Sequence, residues 1–60
     1  MKIGSKVTYV TPYKKEHGII KSHSDNDHVF VVYHYDNNRN EYFNYTGART
    51  RKKDLKKGWI

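Results

Sequence analysis

Short strand signals separated by turn-rich gaps dominate this chain of 60 residues. The signals lie at residues 4–9, 18–22, 29–33 and 45–50. Pro12 and two runs of Asp, Asn and Ser stand between them, and these residue types end strands and close turns. No segment repeats apolar residues at the helical spacing i, i+3, i+4, i+7 over a useful length. Strands this short predict an all-β protein, most compactly arranged as a small closed barrel.

The absence of cysteine removes disulfide bonds and thiolate metal ligands as means of stabilising the fold. The length predicts a single domain over residues 1–60, near the lower limit for folding without such a cross-link. Aromatic side chains, six of them tyrosines, supply a large buried area per residue. A barrel of this size leaves little interior for a catalytic cavity, so we expect function to lie on the surface.

The apolar runs are far shorter than the roughly 20 residues that a membrane-spanning helix needs. Met1, Lys2 and Ile3 lead directly into the first strand signal, without the apolar segment of a secretory signal. We therefore expect an intracellular, cytoplasmic protein without membrane contact.

The first half of the chain predicts a strand, a polar loop and a hairpin. The loop covers residues 13–17, and the second strand opens at Gly18. Residues 23–27 give the strongest turn signal, because Asn, Asp and Ser side chains bond to their own backbone. Residues 29–35 are largely apolar at both odd and even positions, whose side chains point to opposite faces of a strand. This pattern is typical of a strand that lies between two neighbours and is covered on both faces.

The second half predicts two further strands. A polar turn at residues 36–40 leads into a strand at residues 41–46, and residues 48–50 pair onward. Gly47 between them indicates a bulge or a close backbone approach.

The C-terminal residues predict a closing segment. Residues 51–55 are expected to form one tight helical turn that places Leu55 as a plug over the end of the barrel. Beyond it, Trp59 and Ile60 form a large apolar pair that should return to the wall or the core.

The net charge of +6 is concentrated in residues 49–57, which hold six cationic side chains against the single carboxylate of Asp54. Clustered charge of this kind raises the local potential and speeds association with polyanions. A strand would place the two arginines on one face, and a helical turn would stack lysines four residues apart. The alternative is a solubilising surface. The candidate phosphate contacts are Arg49, Arg51, Lys52, Lys53, Lys56 and Lys57.

Tyrosines on the predicted strands are candidates for stacking on unpaired bases, worth about 1–3 kcal/mol for each base. The alternative use of these rings is cross-strand packing that stiffens the sheet. A second alternative is an aromatic cage for a methylated lysine, which a cationic protein would repel. The stacking candidates are Tyr33, Tyr35, Tyr42 and Tyr45, and the cage candidates are Tyr33, Tyr35, Phe43 and Asp36.

The histidines lack the combination with Cys or carboxylate, at a defined spacing, that is typical of zinc sites. His23, Asp25, Asp27 and His28 surround one turn, where weak adventitious metal binding is the alternative to solvated histidines, which are the interpretation we favour. No hydroxyl stands in a recognisable catalytic setting, and no glycine-containing segment has a phosphate-cradling pattern. We expect no enzyme activity, no cofactor and no metal.

The order of several segments is similar to that of SH3-like small barrels of the KOW and Tudor-like kind. These segments are Gly-Ile-Ile-Lys-Ser at 18–22, the Asp/Asn turn, Val-Phe-Val-Val-Tyr at 29–33 and Asp-Leu at 54–55. Tyr-Thr-Gly-Ala-Arg-Thr at 45–50, followed by the same Asp-Leu, resembles short uncharacterised proteins of bacteriophages and other mobile elements. The likeness covers residues 4–59. It implies a five-stranded SH3-like barrel with a short 3-10 turn near the C terminus, a fold that serves many unrelated partners.

Two functions remain open at this point. The first is nucleic-acid binding, to DNA or RNA, with residues 49–57 on the backbone and one or two strand tyrosines on bases or sugars. The second is a phage-type effector that docks on a host protein and modulates or inhibits it. We favour the first because the charge is concentrated rather than spread. The chain is expected to be a monomer or a weak dimer, since an exposed edge strand can pair two copies.

Overall fold

A computed structural model describes residues 2–33 and 44–60, which contain five strands. All strand pairs are antiparallel, so the prediction of an all-β protein with five strands is confirmed. Within these residues no helix has the length and apolar character needed to cross a membrane. The strands are β1 (Lys6–Val10), β2 (Lys15–His23), β3 (His28–Tyr33), β4 (Ala48–Arg51) and β5 (Leu55–Lys57).

The strands form one sheet in the order β4-β3-β2-β1-β5, so β4 and β5 are its two edges. Three residues, the 3-10 turn Lys52–Asp54, join these edges. Such a short connection can link the two edges of a five-stranded sheet if the sheet curls until they approach each other. The result is a half-barrel, and the predicted 3-10 turn near the C terminus is confirmed. The backbone N–H of Lys52 donates to the carbonyl of Asp27 at 2.8 Å and fixes this turn against the β2–β3 hairpin.

The main core lies on the concave face of the curled sheet. Leu55 is 7% exposed and contributes to this core from β5, as predicted for a plug at the end of the barrel. Each fully buried aliphatic side chain contributes about 1.5–3 kcal/mol to the stability of the fold. The core consists of Val7, Ile20, Val29, Val31 and Leu55, with Tyr9 and Tyr33 packed against it.

Strand β3 is covered on both faces, as its sequence predicts. It pairs with β2 on one side and with β4 on the other. Val31 points into the main core, whereas Val32 packs with Ile19 in a second, smaller cluster on the opposite face of the sheet. The last two residues of the predicted strand, 34 and 35, lie outside the described residues.

Trp59 covers the second cluster and confirms the predicted return of the C-terminal apolar residues to the wall. Its indole Nε1 donates to the carbonyl of Gly18 at 3.0 Å. The ring of His17 stacks on it, with centroids 5.4 Å apart and planes 8° apart. The ammonium of Lys6 lies 4.8 Å from the centroid of the indole. Ile60, by contrast, stays exposed.

The predicted loop at residues 13–17 is wrong at its C-terminal end, because β2 begins at Lys15. Strand β1 pairs with β2 along its full length, from Lys6↔Ile19 to Val10↔Lys15. A tight turn makes this possible. The hydroxyl of Thr11 accepts from the amides of Tyr13 and Lys14 at 3.2 and 2.9 Å, which closes the turn in four residues.

The predicted strand at residues 41–46 is wrong over 44–46, which the structure leaves outside any strand. Residues 41–43 and the predicted turn at 36–40 lie outside the described residues. The predicted close approach at Gly47 is confirmed, since a Cβ atom there would lie 2.8 Å from the Cβ of Phe30. This contact places Gly47 against a side chain of β3, ahead of the first ladder pair at Ala48. The bulge lies in β2, where Lys21 is the extra residue between Ile20 and Ser22.

Gly18 should tolerate no side chain. A Cβ atom there would lie 2.5 Å from Cγ1 of Val31 and 3.0 Å from the ring of Tyr33. Since Val31 is fully buried, we expect Gly18→Ala to lower the free energy of unfolding by about 1–3 kcal/mol. Urea denaturation measures this change. Lys15→Ala, at an exposed position of the same strand, should stay within about 0.5 kcal/mol of the parent. Equal stability of the two variants would contradict the packing described.

Thr8 should anchor the C-terminal residues to the sheet. Its fully buried hydroxyl donates to the carbonyl of Gly58 at 2.7 Å and accepts from the amide of Ile60 at 3.1 Å. Thr8→Val keeps the shape but removes both bonds, so we expect it to lower the free energy of unfolding by about 1–3 kcal/mol. The emission of Trp59 should also shift to longer wavelength as the indole becomes hydrated. Thr8→Ser, which keeps the hydroxyl, should retain the parent emission; an unshifted Thr8→Val spectrum would show that the anchor lies elsewhere.

Candidate functional site

The basic segment, residues 49–57, runs from β4 through the 3-10 turn into β5 and so passes from one edge of the sheet to the other. Five of its six cationic side chains belong to exposed residues, and Lys52 is half-buried. The fold therefore distributes these charges along the rim of the half-barrel instead of gathering them on one flat face.

Arg49 and Arg51 share the outer face of β4, as predicted from their spacing. Thr50 between them is buried and points to the concave side. In the ladder with β3, Arg49 lies opposite Phe30 and Arg51 lies opposite His28. Both guanidinium groups therefore extend from a strand whose backbone is held by its neighbour.

Arg49 is tied to the β2–β3 turn by two hydrogen bonds. Its Nη2 donates to Oδ2 of Asp25 at 2.6 Å, and its Nε donates to the hydroxyl of Ser24 at 3.0 Å. Oδ1 of Asp25 accepts from the amide of Asp27 at 2.8 Å and bonds to Nδ1 of His28 at 2.9 Å. The carboxylate of Asp25 thus partly neutralises the charge of Arg49.

Asp25 is the centre of this network, and its electrostatics follow from its partners. The hydrogen bond with His28, the amide of Asp27 and the guanidinium of Arg49 hold the pKa of Asp25 well below its usual value of 3.8. The carboxylate therefore stays ionised at any pH at which a cell operates. It fixes the position of Arg49 and orients the turn beside the other basic residues.

Arg51, Lys52 and Lys53 surround a shallow depression beside the β2–β3 turn. Asn26, Asp27 and His28 complete its lining. In the part of the chain that the structure describes, no carboxylate forms an ion pair with any of these three cations. Their charge remains available to a ligand.

Lys56 and Lys57 do not stack on a helical turn, so the predicted i,i+4 pairs with Lys52 and Lys53 are wrong. The 3-10 turn ends at Asp54, because Leu55 must enter the core and the chain extends to bring it there. In β5 the two lysines point to opposite faces. Lys56 lies opposite Thr8 and Lys57 opposite Val7 in the ladder with β1.

The described tyrosines divide between packing and exposure. Tyr33 is half-buried against the core, meets the ring of Tyr9 edge-on at 6.3 Å, and shares a hydrogen bond of 3.1 Å between its hydroxyl and that of Thr50. Burial raises the pKa of the Tyr33 hydroxyl. Tyr45 is exposed, and its carbonyl accepts from the ammonium of Lys21. The other predicted stacking and cage residues, Tyr35, Asp36, Tyr42 and Phe43, lie outside the described residues.

Sequence reasoning missed an exposed aromatic ring at the β1–β2 turn. Tyr13 is 95% exposed and follows Pro12 in the turn closed by Thr11. The signal was present in the sequence, since an aromatic residue in a polar turn has no neighbouring strand to pack against.

Sequence reasoning also missed Lys2 and Lys6, which the fold brings to Lys57. These three lysines line a second depression together with Ser5, Val7 and Gly58. The pairing of β1 with β5 creates this cluster from segments about 50 residues apart. No local pattern could reveal it without the strand order.

The turn that groups His23, Asp25, Asp27 and His28 does not assemble a metal site in the described residues. Asp25 is bonded to His28 and Arg49, as above. Among residues 2–33 and 44–60, no group of three His, Asp or Glu side chains is placed so that it could hold a metal ion.

No protein-family model, curated protein or solved structure matches this chain.

The Asp25 network should make stability depend on pH in the acid range. Because the pKa of Asp25 is lowered in the folded state, its contribution is fully present above its unfolded value near 3.8 and is lost as the pH falls below that value. We expect the urea midpoint to fall between neutral pH and pH 3 more steeply in the parent than in Asp25→Asn. Arg49→Gln, which removes one partner, should give an intermediate slope. Parallel curves for the parent and Asp25→Asn would contradict this assignment.

Proposed function

We propose that this protein binds nucleic acid through the basic segment, with its cations on the phosphate backbone. The proposal is carried by the lack of internal ion pairs at most of the cationic side chains on the rim. Arg49 is paired with Asp25, whereas no ion pair with a carboxylate of the described residues involves the other five. Cations without an internal partner are available to displace the counterions of a polyanion, which is the main source of affinity in such complexes.

The architecture supports an SH3-like assignment, the fold that the sequence resemblance implies. A curled five-stranded sheet with a 3-10 turn before its last strand is the arrangement expected of such a barrel. Nucleic-acid binding in the cytoplasm of a bacterial host, as the resemblance to bacteriophage proteins implies, is the setting we propose.

The alternative is docking on a host protein. Among the described strands, β4 and β5 each pair with one neighbour, so each presents an edge to which a partner strand could add. Main-chain hydrogen bonds of that kind depend little on salt, whereas phosphate contacts depend on it steeply. Salt dependence therefore separates the two functions.

Affinity for nucleic acid should fall steeply with salt. For about five phosphate contacts on a single strand, the logarithmic slope is about −3.5, which lowers affinity roughly 100-fold between 50 and 200 mM salt. Fluorescence anisotropy of labelled single-stranded DNA, duplex DNA and RNA measures this slope. Absence of binding at 50 mM salt would overturn the proposal and direct attention to the protein-docking alternative.

Neutralising unpaired cations of the segment should lower both the affinity and the slope. We expect Arg51→Gln with Lys53→Gln to reduce the magnitude of the slope by about 1.4, which corresponds to two lost contacts on a single strand. The matched control is Lys2→Gln with Lys15→Gln, which removes the same charge from two exposed residues outside the segment. Equal losses in the two double variants would show that net charge, and not this surface, sets the affinity.

A further inference from the structure

The side chain of Tyr13 projects into solvent from the β1–β2 turn and is 95% exposed. Tyr9 and Tyr33 differ from it, because both pack against the main core. The ring of Tyr13 therefore adds little to the buried area of the fold and is open to a ligand. An open aromatic ring can stack on any unpaired base of a nucleic acid, since every base has a π-face.

The backbone on both sides of Tyr13 is held in place. The hydroxyl of Thr11 accepts from the amides of Tyr13 and Lys14 at 3.2 and 2.9 Å and donates to the carbonyl of Lys14 at 3.0 Å. The amide of Thr11 donates to the same carbonyl at 2.9 Å, and the ring of Pro12 fixes one backbone angle. A side chain on a preorganised turn loses less entropy on binding than one on a loop that must first be ordered.

The 3-10 turn Lys52–Asp54 leads to the end of β1 that carries Tyr13. The residue after this 3-10 turn, Leu55, pairs with Tyr9, and β1 continues by a single residue before the β1–β2 turn begins. Because β1 and β5 are antiparallel, the residues before Leu55 lie beyond this end of the ladder, on the side of the β1–β2 turn. Asp54 and Tyr9 line one depression, which agrees with this placement.

The other end of the 3-10 turn lies at the β2–β3 hairpin, where the amide of Lys52 donates to the carbonyl of Asp27 at 2.8 Å. Arg51, Lys52 and Lys53 therefore lie along a path from the β2–β3 turn to the β1–β2 turn. None of these three cations forms an ion pair with a carboxylate of the described residues. Cations for a phosphate backbone and a ring for a base are thus placed one after the other on the same rim.

We propose that Tyr13 stacks on an unpaired base of a single-stranded nucleic acid whose backbone lies on the cations of the 3-10 turn. The inference rests on the proposed function and adds to it the class of ligand. Bases inside a duplex are stacked on one another, and only unpaired bases are open to an aromatic ring. Stacking on a neutral ring releases no counterions, so this part of the affinity does not depend on salt.

The test is fluorescence anisotropy of Tyr13→Ala with labelled single-stranded DNA over a range of salt concentrations. We expect the affinity to fall about 5- to 150-fold, the range for one stacked base, at every salt concentration. The logarithmic salt slope should stay that of the parent, whereas Arg51→Gln with Lys53→Gln lowers it. Tyr13→Phe, which keeps the ring, should retain the parent affinity. An unchanged affinity of Tyr13→Ala would overturn the inference and leave the ring to a protein partner.

A matched variant tests whether the loss belongs to this ring. Ile3→Ala removes another exposed apolar side chain from a turn, and we expect it to bind as the parent does. Equal losses in Ile3→Ala and Tyr13→Ala would show a general dependence on apolar surface and would contradict the assignment. Because Tyr13 is almost fully exposed, Tyr13→Ala should leave the urea midpoint close to that of the parent.

A second ligand tests whether the ring contacts a base. A strand of the same length made of abasic nucleotides keeps the phosphates and lacks the bases. Tyr13→Ala should bind this strand as tightly as the parent does, because the partner of the ring has been removed. A full loss on the abasic strand would show that the ring acts through the backbone or the fold and would refute the stacking contact. Failure of the proposed function has another signature, namely absence of parent binding to both strands at 50 mM salt.

Discussion

The three-residue connection between β4 and β5 is the constraint on which the rest of the structure depends. Because Lys52–Asp54 must join the two edges of the sheet, the sheet curls and forms a concave face. Leu55 packs on that face directly after the turn and completes the core. The same connection carries the basic segment across the rim, so the element that closes the fold also displays most of its excess charge.

Local residue chemistry predicted most of the elements of this fold. The turn predicted at residues 23–27, of which only His23 belongs to β2, the doubly apolar run in β3 and the pattern before Leu55 each indicated the correct element, because each depends on neighbours in sequence. The start of β2 at Lys15 was missed, since it follows from the pairing of β1 along its full length and from a turn in which both the hydroxyl and the amide of Thr11 bond to Lys14. The predicted helical stacking of Lys52 with Lys56 was wrong for a similar reason. The burial of Leu55 in the core requires an extended chain from residue 55 onward, so the helical turn ends before Lys56.

The candidate sites were predicted less completely than the fold. Composition located the basic segment, but the distinction between Arg49 and Arg51 depends on Asp25, which lies 24 residues away from Arg49. The depression around Lys2, Lys6 and Lys57 depends on the β1–β5 pairing, and nothing within a short window of sequence indicates it. The sequence thus shows where charge is dense. Which charges form ion pairs, and which distant charges lie side by side, depends on the order of the strands in the sheet.

The bond between the hydroxyl of Thr8 and the carbonyl of Gly58 spans 50 positions of the chain. Contacts between such distant residues form only after a long loop has closed, which costs entropy and slows folding. Strand β1 lacks a hydrogen-bonded neighbour on one side until β5 pairs with it. The hydroxyl of Thr8 stays hydrated until residues 58–60 fold over it. The pairing of β1 on this side therefore depends on a strand that lies almost the whole length of the described chain away from it.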